Sequence, residues 1–63
     1  MKVDQNMIVF VNEMLDTYIL DYSLETSLSM VTDAVMFSEQ IEDRNKAYDI
    51  VMEALYKGEY DEE

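Results

Sequence analysis

Apolar side chains in the first third of the chain recur at spacings of three and four residues, which is the period of an amphipathic helix. Asp4 precedes this pattern and suits an N-cap, where its carboxylate also meets the positive end of the helix dipole. Tyr18 and Tyr22 lie four residues apart and continue the apolar face. The pattern therefore predicts a first helix that begins near Asp4 and ends near Tyr22. Its predicted apolar face consists of Met7, Ile8, Val11, Met14, Leu15, Tyr18, Ile19 and Tyr22.

Two further segments carry the same period. Residues 23–26 contain Ser and Thr, which are good N-cap types, and are predicted to connect the first helix to the second. The third segment has Lys57 in its last turn and Gly58 as the residue after its end, where a cation and a glycine are favoured. The second helix has one predicted apolar stripe, formed by Met30, Ala34, Phe37 and Ile41. The apolar residues of the third are Ala47, Tyr48, Val51, Met52, Ala54 and Leu55.

The junction between the second and third segments, "SEQIEDRNKA", is consistent with two architectures. Asp43 can cap a separate third helix, which predicts a small all-α three-helix bundle. Alternatively, the apolar stripe continues through Arg44, and Glu42 and Lys46 form a supporting i,i+4 pair. That alternative predicts a helical hairpin with one long second helix, which would dimerise to cover its stripe. We favour the three-helix bundle.

Composition supports the helical interpretation and limits the size of the core. The 63 residues include no proline and one glycine, so the turn chemistry of β-hairpins is missing. A chain of this length is at most one domain, here residues 1–63, and is only marginally stable alone. It has neither cysteine nor histidine, which excludes disulfides and the usual zinc sites. The last residues are predicted to form a flexible acidic tail, made of Glu59, Tyr60, Asp61, Glu62 and Glu63.

The net charge of the chain is −11, from 15 acidic and 4 basic residues. No Lys or Arg occurs between Lys2 and Arg44, a stretch that contains nine acidic residues. Direct binding to nucleic acid is disfavoured because phosphates need cations, and anionic membrane surfaces are disfavoured for the same reason. The charge instead predicts a protein partner with a basic surface.

The sequence gives no sign of catalytic or cofactor chemistry. Nucleophile–base pairs usually contain His or Cys, and a glycine-rich phosphate loop is missing. The acidic runs lack both the spacing and the central glycine of a calcium loop. We therefore expect no catalytic residue, no metal ligand and no cofactor, and we interpret the chain as a protein that is not an enzyme.

Several apolar side chains point away from the predicted core. If Ile8 marks the core direction of the first helix, then Val9, Phe10 and Leu20 point elsewhere and lie close to acidic residues. Either the first helix is wrapped on all sides, or these residues form an exposed apolar strip with an acidic border, typical of an interaction site. Met36 lies off the stripe of the second helix and is a further surface candidate. The predicted partner-binding residues are Val9, Phe10, Glu13, Asp16, Leu20, Asp21, Glu25 and Met36.

These features predict a small acidic protein-interaction module. The leading hypothesis is an inhibitor that occupies the basic surface of a nucleic-acid-binding protein, where spaced carboxylates imitate phosphates. In size and charge the chain is similar to the small acidic inhibitors that phages make against host enzymes and defence systems. The alternative is a structural or accessory subunit that completes a helical homodimer or a larger assembly. No apolar run reaches the roughly 20 residues of a membrane span, and no signal-peptide cleavage site is evident, so we expect a cytoplasmic protein.

Overall fold

A computed structural model describes the backbone of residues 3–60 and the side chains of residues 3–58. No strand occurs in the part of the chain that it describes. The prediction of a small all-α three-helix bundle is confirmed. The alternative hairpin with one long second helix is wrong, because residues 40–43 separate the second helix from the third. The helices are α1 (Gln5–Tyr18), α2 (Leu24–Glu39) and α3 (Arg44–Tyr60).

Side-chain caps set where the three helices begin. Asp4 Oδ1 accepts a hydrogen bond from the Met7 backbone NH at 2.9 Å, as expected of an N-cap. Ser23 Oγ accepts one from the backbone NH three residues later at 3.2 Å. Asp43 Oδ1 accepts one from the Asn45 NH at 3.0 Å. The predicted helix starts at Asp4 and Asp43 are therefore confirmed.

The connection between α1 and α2 lies earlier in the chain than the sequence predicts. α1 ends at Tyr18 rather than near Tyr22. Ser23 already caps α2, so residues 24–26, predicted as part of the connection, form the first turn of that helix. The connection consists of residues 19–23. The capping hydroxyl of Ser23 outweighs the apolar periodicity that continues to Tyr22.

A residue in the left-handed conformation ends α2. Gln40 has φ 56° and ψ 46°, a conformation that usually requires glycine. Its NH donates to the Phe37 carbonyl at 3.4 Å, and the Ile41 NH donates to the Met36 carbonyl at 2.9 Å. These two bonds form a Schellman motif, which turns the chain out of the helix. The motif explains why α2 and α3 are separate although the apolar pattern runs through the junction.

The centre of the core is built from small side chains. All but one of the described residues that are both apolar and buried are valine or alanine, and larger apolar side chains surround them half-buried. Small side chains allow the three helix backbones to approach one another closely. α3 contributes half of this core. The buried apolar residues are Val3, Val11, Val31, Val35, Ala47, Ile50, Val51 and Ala54.

The buried face of α2 differs from the predicted stripe. Val31 and Val35 are fully buried, whereas Phe37 of the predicted stripe is 89% exposed. The other three stripe residues, Met30, Ala34 and Ile41, are half-buried. Val31 lies one residue after Met30 and therefore about 100° further round the helix. The prediction was wrong because it followed the bulkier side chains, whereas the valines make the close contacts.

Close packing between α1 and α3 depends on Gly58. Asn12 Nδ2 donates hydrogen bonds to the carbonyls of Ile8 at 2.7 Å and Ala54 at 3.1 Å. A Cβ atom at position 58 would lie only 2.8 Å from Asn12 Cγ, so any larger residue at this position would displace the Asn12 side chain. Gly58 is an interior residue of α3, which continues to Tyr60, and the predicted role of Gly58 after the helix end is wrong.

The predicted acidic tail overlaps the end of α3. The backbone of Glu59 and Tyr60 is helical and belongs to the last turn of α3. The other three tail residues, 61–63, lie outside the described residues. The flexibility of residues 59–63 therefore stays a prediction.

The helices form a slab rather than a cylinder. The Cα atoms extend over 29 × 28 × 15 Å. Two packed helix layers have about this thickness, since helix axes lie about 8–10 Å apart and each helix adds a Cα radius of about 2.3 Å. α3 packs against both α1 and α2. The side of α3 that faces neither helix is therefore open to solvent.

Candidate interaction surface

Three of the predicted binding residues share the outer face of α1. Val9, Glu13 and Asp16 are all exposed. They lie at i, i+4 and i+7, so they form one stripe along the helix. This stripe borders an open groove of about 410 Å³ between α1 and α3. The groove is also lined by Gln5, Ile8, Asn12, Lys57 and Gly58.

A lysine also lines this groove, which was not predicted from the sequence. Lys57 of α3 lines it together with Glu13 and Asp16. The hydrogen bond from Asn12 to the Ala54 carbonyl fixes where α3 crosses α1 and so brings Lys57 to this position. Within residues 3–58, Lys57 makes no ion pair with either carboxylate. Lys57 thus reduces the negative potential of the groove without neutralising one particular carboxylate.

A second apolar surface lies where α1 is connected to α2. Leu20 is 81% exposed and Leu24 is 60% exposed, although both are strongly apolar. Asp21 and Glu25, two further predicted binding residues, are exposed beside them in the chain. We call the exposed apolar group of this region the connection patch; it consists of Ile19, Leu20, Tyr22 and Leu24.

Local contacts hold the connection patch in a defined conformation. The rings of Tyr18 and Tyr22 meet edge to face, with centroids 6.4 Å apart. The NH groups of Asp21 and Tyr22 both donate to the Tyr18 carbonyl, at 3.0 and 2.9 Å. Ile19 NH donates to the carbonyl of Leu15 at 3.0 Å. The patch is therefore presented on an ordered turn, which lowers the entropy lost on binding.

Phe10 and Met36 do not lie on the surface as predicted. Both are half-buried and pack against the core. Val11 marks the centre of the buried face of α1, so the core direction inferred from Ile8 was wrong and Phe10 lies at the edge of the core. Met36 is held at the end of α2, where its Sδ lies 3.7 Å from Arg44 Nη1. Val9 and Leu20 are exposed as expected.

Two apolar surfaces are exposed in the structure but were not predicted from the sequence. Phe37 near the end of α2 is 89% exposed. On α3, Tyr48, Met52 and Tyr56 are 43%, 42% and 64% exposed, and we call these three residues the α3 stripe. Their spacing of four residues was a visible signal, but Tyr48 and Met52 also belong to the apolar residues predicted for the third helix, and the period alone did not separate them from its buried face.

Charge is divided unevenly between α3 and the rest of the described chain. Residues 3–43 contain nine acidic residues and no basic one, and all nine are exposed. α3 contains three basic and three acidic residues, so its formal charge is zero. The one ion pair that the described residues form links the two regions through Arg44 Nη1 and Asp33 Oδ1. Arg44 Nη2 also donates to the carbonyl and Oγ of Ser29, at 3.2 and 2.8 Å.

The described residues do not support a metal site or a membrane-spanning segment. In the part of the chain with described side chains, no group of three or more acidic residues is arranged to hold a metal ion. Among the described helices, none combines the length and the apolar character needed to cross a membrane. No protein-family model, no curated protein sequence and no solved structure matches this chain.

Proposed function

We propose that this protein is a small acidic interaction module that binds a basic surface of another protein. The charge of residues 3–43 carries the proposal: nine exposed carboxylates, no base, and only Asp33 among them in an ion pair. Crowded carboxylates repel one another and oppose the compact fold. A cationic partner relieves this repulsion when it binds, so the free energy stored in the surface charge favours the complex.

The proposed binding surface combines the outer face of α1 with the connection patch. Val9 and Leu20 supply exposed apolar area that a partner would bury. Glu13, Asp16 and Asp21 supply charge beside that area. Charge complementarity of this kind speeds encounter and selects the partner, while buried apolar contacts slow dissociation. Glu25, in the first turn of α2, extends the acidic border of the patch.

The partner class follows from the same chemistry. Proteins that bind DNA or RNA present clusters of Lys and Arg to the phosphates. A compact module with spaced, exposed carboxylates can occupy such a cluster and exclude the nucleic acid. Inhibition by occupancy needs no catalytic group, metal or cofactor in the module. The proposal therefore describes an inhibitor that acts in the cytoplasm on a nucleic-acid-binding protein, in the manner of a phage-encoded nucleic-acid mimic.

The test has two steps. The immobilised protein is first incubated with a bacterial lysate at about 50 mM salt and eluted with a salt gradient, because ionic complexes weaken steeply as salt rises. The most tightly retained protein is identified by mass spectrometry and purified. Its complex with a fluorescent DNA or RNA duplex is then titrated with the acidic protein. We expect displacement of the nucleic acid at a fixed stoichiometry, and a weaker effect at higher salt.

Two other results would contradict the proposal in whole or in part. If many unrelated basic proteins elute together early in the gradient and none loses its nucleic acid, the charge serves only to keep the chain in solution. If a single protein is retained but keeps its nucleic acid, the module binds a site other than the phosphate-binding surface. In that case the inhibitory part of the proposal fails and the interaction part remains.

A further inference from the structure

A groove of about 380 Å³ lies between the start of α1 and the end of α2, and we call it the α1–α2 groove. Its described lining includes two exposed carboxylates and one half-buried aromatic ring, and no base. We propose that the α1–α2 groove binds an arginine side chain of the basic partner. The inference rests on the proposed function, since the partner's basic surface supplies the arginine. The described lining residues are Asp4, Asn6, Met7, Phe10, Ser38 and Glu39.

Two other grooves show what the chain places beside paired carboxylates. In each of them a lysine of the same chain lowers the negative potential of the two acids. The α1–α2 groove has no such lysine among the described residues, so a cation from a partner meets two uncompensated carboxylates there. The two sets of lining residues for comparison are Glu13, Asp16 and Lys57 in the groove between α1 and α3, and Asp49, Glu53 and Lys46 in a groove on α3.

The end of α2 adds to the negative potential of the α1–α2 groove. The C-terminal end of a helix carries a partial negative charge, so cations are favoured in its last turn and carboxylates are disfavoured. The last turn of α2 contains no base, and its final residue is Glu39. The Glu39 carboxylate therefore lies where the helix dipole opposes it. A guanidinium bound beside Glu39 relieves that unfavourable interaction.

Phe10 makes the α1–α2 groove better suited to arginine than to lysine. Phe10 packs against the core and also lines the groove, so its ring is held in place before a ligand arrives. A guanidinium stacks on an aromatic ring and donates to carboxylates through a planar fork, whereas the ammonium of lysine is compact and strongly hydrated. Asp4 caps α1 through Oδ1, which leaves its Oδ2 to accept a hydrogen bond from the guanidinium.

The test uses N-acetyl-arginine amide, whose blocked ends imitate a residue within a protein chain, so it does not require the partner. The isotope-labelled full chain is titrated by NMR at constant ionic strength, with N-acetyl-lysine amide as the comparison. We expect saturable shifts of the backbone NH groups near residues 4–10 and 36–40, with a dissociation constant in the millimolar range. The constant for the lysine derivative should be about threefold higher or more, because the stacking on Phe10 is lost.

Two pairs of variants locate the site. Asp4→Asn removes a charge and keeps the N-cap of α1, because Asn caps as well as Asp, and Asp43→Asn is the matched control at the N-cap of α3. Phe10→Leu removes the ring and keeps apolar bulk, and Phe37→Leu is the matched control at an exposed phenylalanine. Asp4→Asn and Phe10→Leu should each raise the dissociation constant for the arginine derivative about threefold or more, and the two controls should leave it unchanged. If Phe10→Leu fails to fold, the comparison of Asp4→Asn with Asp43→Asn decides.

Equal affinities for the arginine and lysine derivatives, or equal losses in Asp4→Asn and Asp43→Asn, would overturn the inference, because net charge alone would then explain the binding. Binding of the arginine derivative only after Lys2→Gln would also overturn it, since the occupant would then be a lysine of the same chain. Displacement of nucleic acid by a chain whose α1–α2 groove binds no arginine overturns this inference alone. A chain that binds arginine in this groove but displaces no nucleic acid counts against the proposed function alone.

Discussion

Residues 3–43 and α3 have nearly opposite characters. The first region holds nine exposed carboxylates, no base, and the two most exposed large apolar side chains, Leu20 and Phe37. α3 is formally neutral and supplies half of the buried apolar core, including fully buried Val51. The difference shows how 63 residues can carry a high surface charge and still fold. Four buried apolar residues lie within the 17 residues of α3, and four lie within the much longer segment 3–43, so the unbalanced charge is carried by the region where buried apolar residues are sparser.

The largest expected effect comes from comparing a carboxylate introduced into the buried core of α3 with one introduced on the exposed surface of residues 3–43. Val51→Asp buries a carboxylate in a dry core, a change that costs several kcal/mol and exceeds the stability of a domain this small. Circular dichroism should show loss of helix for this variant. Leu20→Asp puts the same group on the connection patch and should leave both the helix content and the melting temperature nearly unchanged.

The same pair of variants also separates stability from recognition. Leu20→Asp should weaken binding of the proposed basic partner, because it removes an apolar anchor from the interface. Phe10→Asp falls between the two cases, since Phe10 is half-buried against the core, and should lower the melting temperature measurably. If Leu20→Asp unfolds the chain, Leu20 belongs to the core and the connection patch does not exist as a binding surface.

A smaller effect is expected at Gly58, where α3 passes closest to α1. In an open helix, Gly→Ala stabilises by up to about 1 kcal/mol. Here the new methyl would displace the Asn12 side chain and break its hydrogen bond to Ala54, a loss of about 1–2 kcal/mol. Gly58→Ala should therefore lower the free energy of unfolding, measured by urea denaturation.

A second background tests the cause of this effect. In an Asn12→Ala chain the obstructing amide is gone, so Gly58→Ala should become stabilising. The reversal of sign between the two backgrounds is the prediction, and it can be read from a double-mutant cycle. If Gly58→Ala stabilises in both backgrounds, α3 does not pack on Asn12 as closely as the structure indicates.

Gln40, in the acidic region, offers the opposite test, because the backbone at this position favours glycine and the residue is glutamine. Its φ of 56° costs a non-glycine residue about 1 kcal/mol. Gln40→Gly should raise the free energy of unfolding by up to that amount. Glu39→Gly, one residue earlier and inside α2, should lower it by about 1 kcal/mol. Equal effects of the two variants would show that the Schellman motif is not formed in solution.

The smallest expected effect concerns Arg44, which links the two regions. Its guanidinium contacts Asp33 and Ser29 of α2, but the Arg44 and Asp33 side chains are 48% and 64% exposed, so solvent screens the ion pair. Arg44→Gln should destabilise by about 1 kcal/mol or less, and the loss should shrink at high salt. Lys46→Gln is the matched control, since the exposed Lys46 forms no ion pair among the described residues. A similar loss in both variants would assign the effect to net charge.

Much of the fold could be predicted because the signals are local. Asp4 and Asp43 are N-cap types placed just before helical patterns, and both cap helices in the structure. The end of α2 could not be predicted in the same way, because Gln40 carries no side-chain signal for the left-handed conformation. Periodicity also gave the wrong face of α2. It favoured large side chains such as Phe37, whereas close packing of three helices selected the valines.

The candidate site could be predicted only in part. The exposure of Val9 followed from the helical period of α1. Leu20 is exposed as predicted, but it lies in the connection after α1 and not on the helix. Phe10 was misplaced because the core direction of α1 was taken from Ile8 instead of Val11. The two directions differ by less than the roughly 100° between successive residues, and this difference is enough to move Phe10 from the surface to the edge of the core. Lys57 could not be placed in the same groove as Asp16 from the sequence, because this placement depends on how α3 crosses α1.

The central claim is that the position of the charge, and not its total, makes the binding surface. Two double variants test this directly. Glu13→Gln with Asp16→Asn changes the outer face of α1, and Asp49→Asn with Glu53→Gln changes α3; each removes two negative charges from a total of −11. Their affinities for the captured basic protein are measured by calorimetry at low salt. We predict that the α1 variant binds about tenfold more weakly or worse, a loss of about 1.4 kcal/mol, and that the α3 variant binds like the unmodified chain. Equal losses in the two variants would contradict the claim and make the charge a property of the whole molecule.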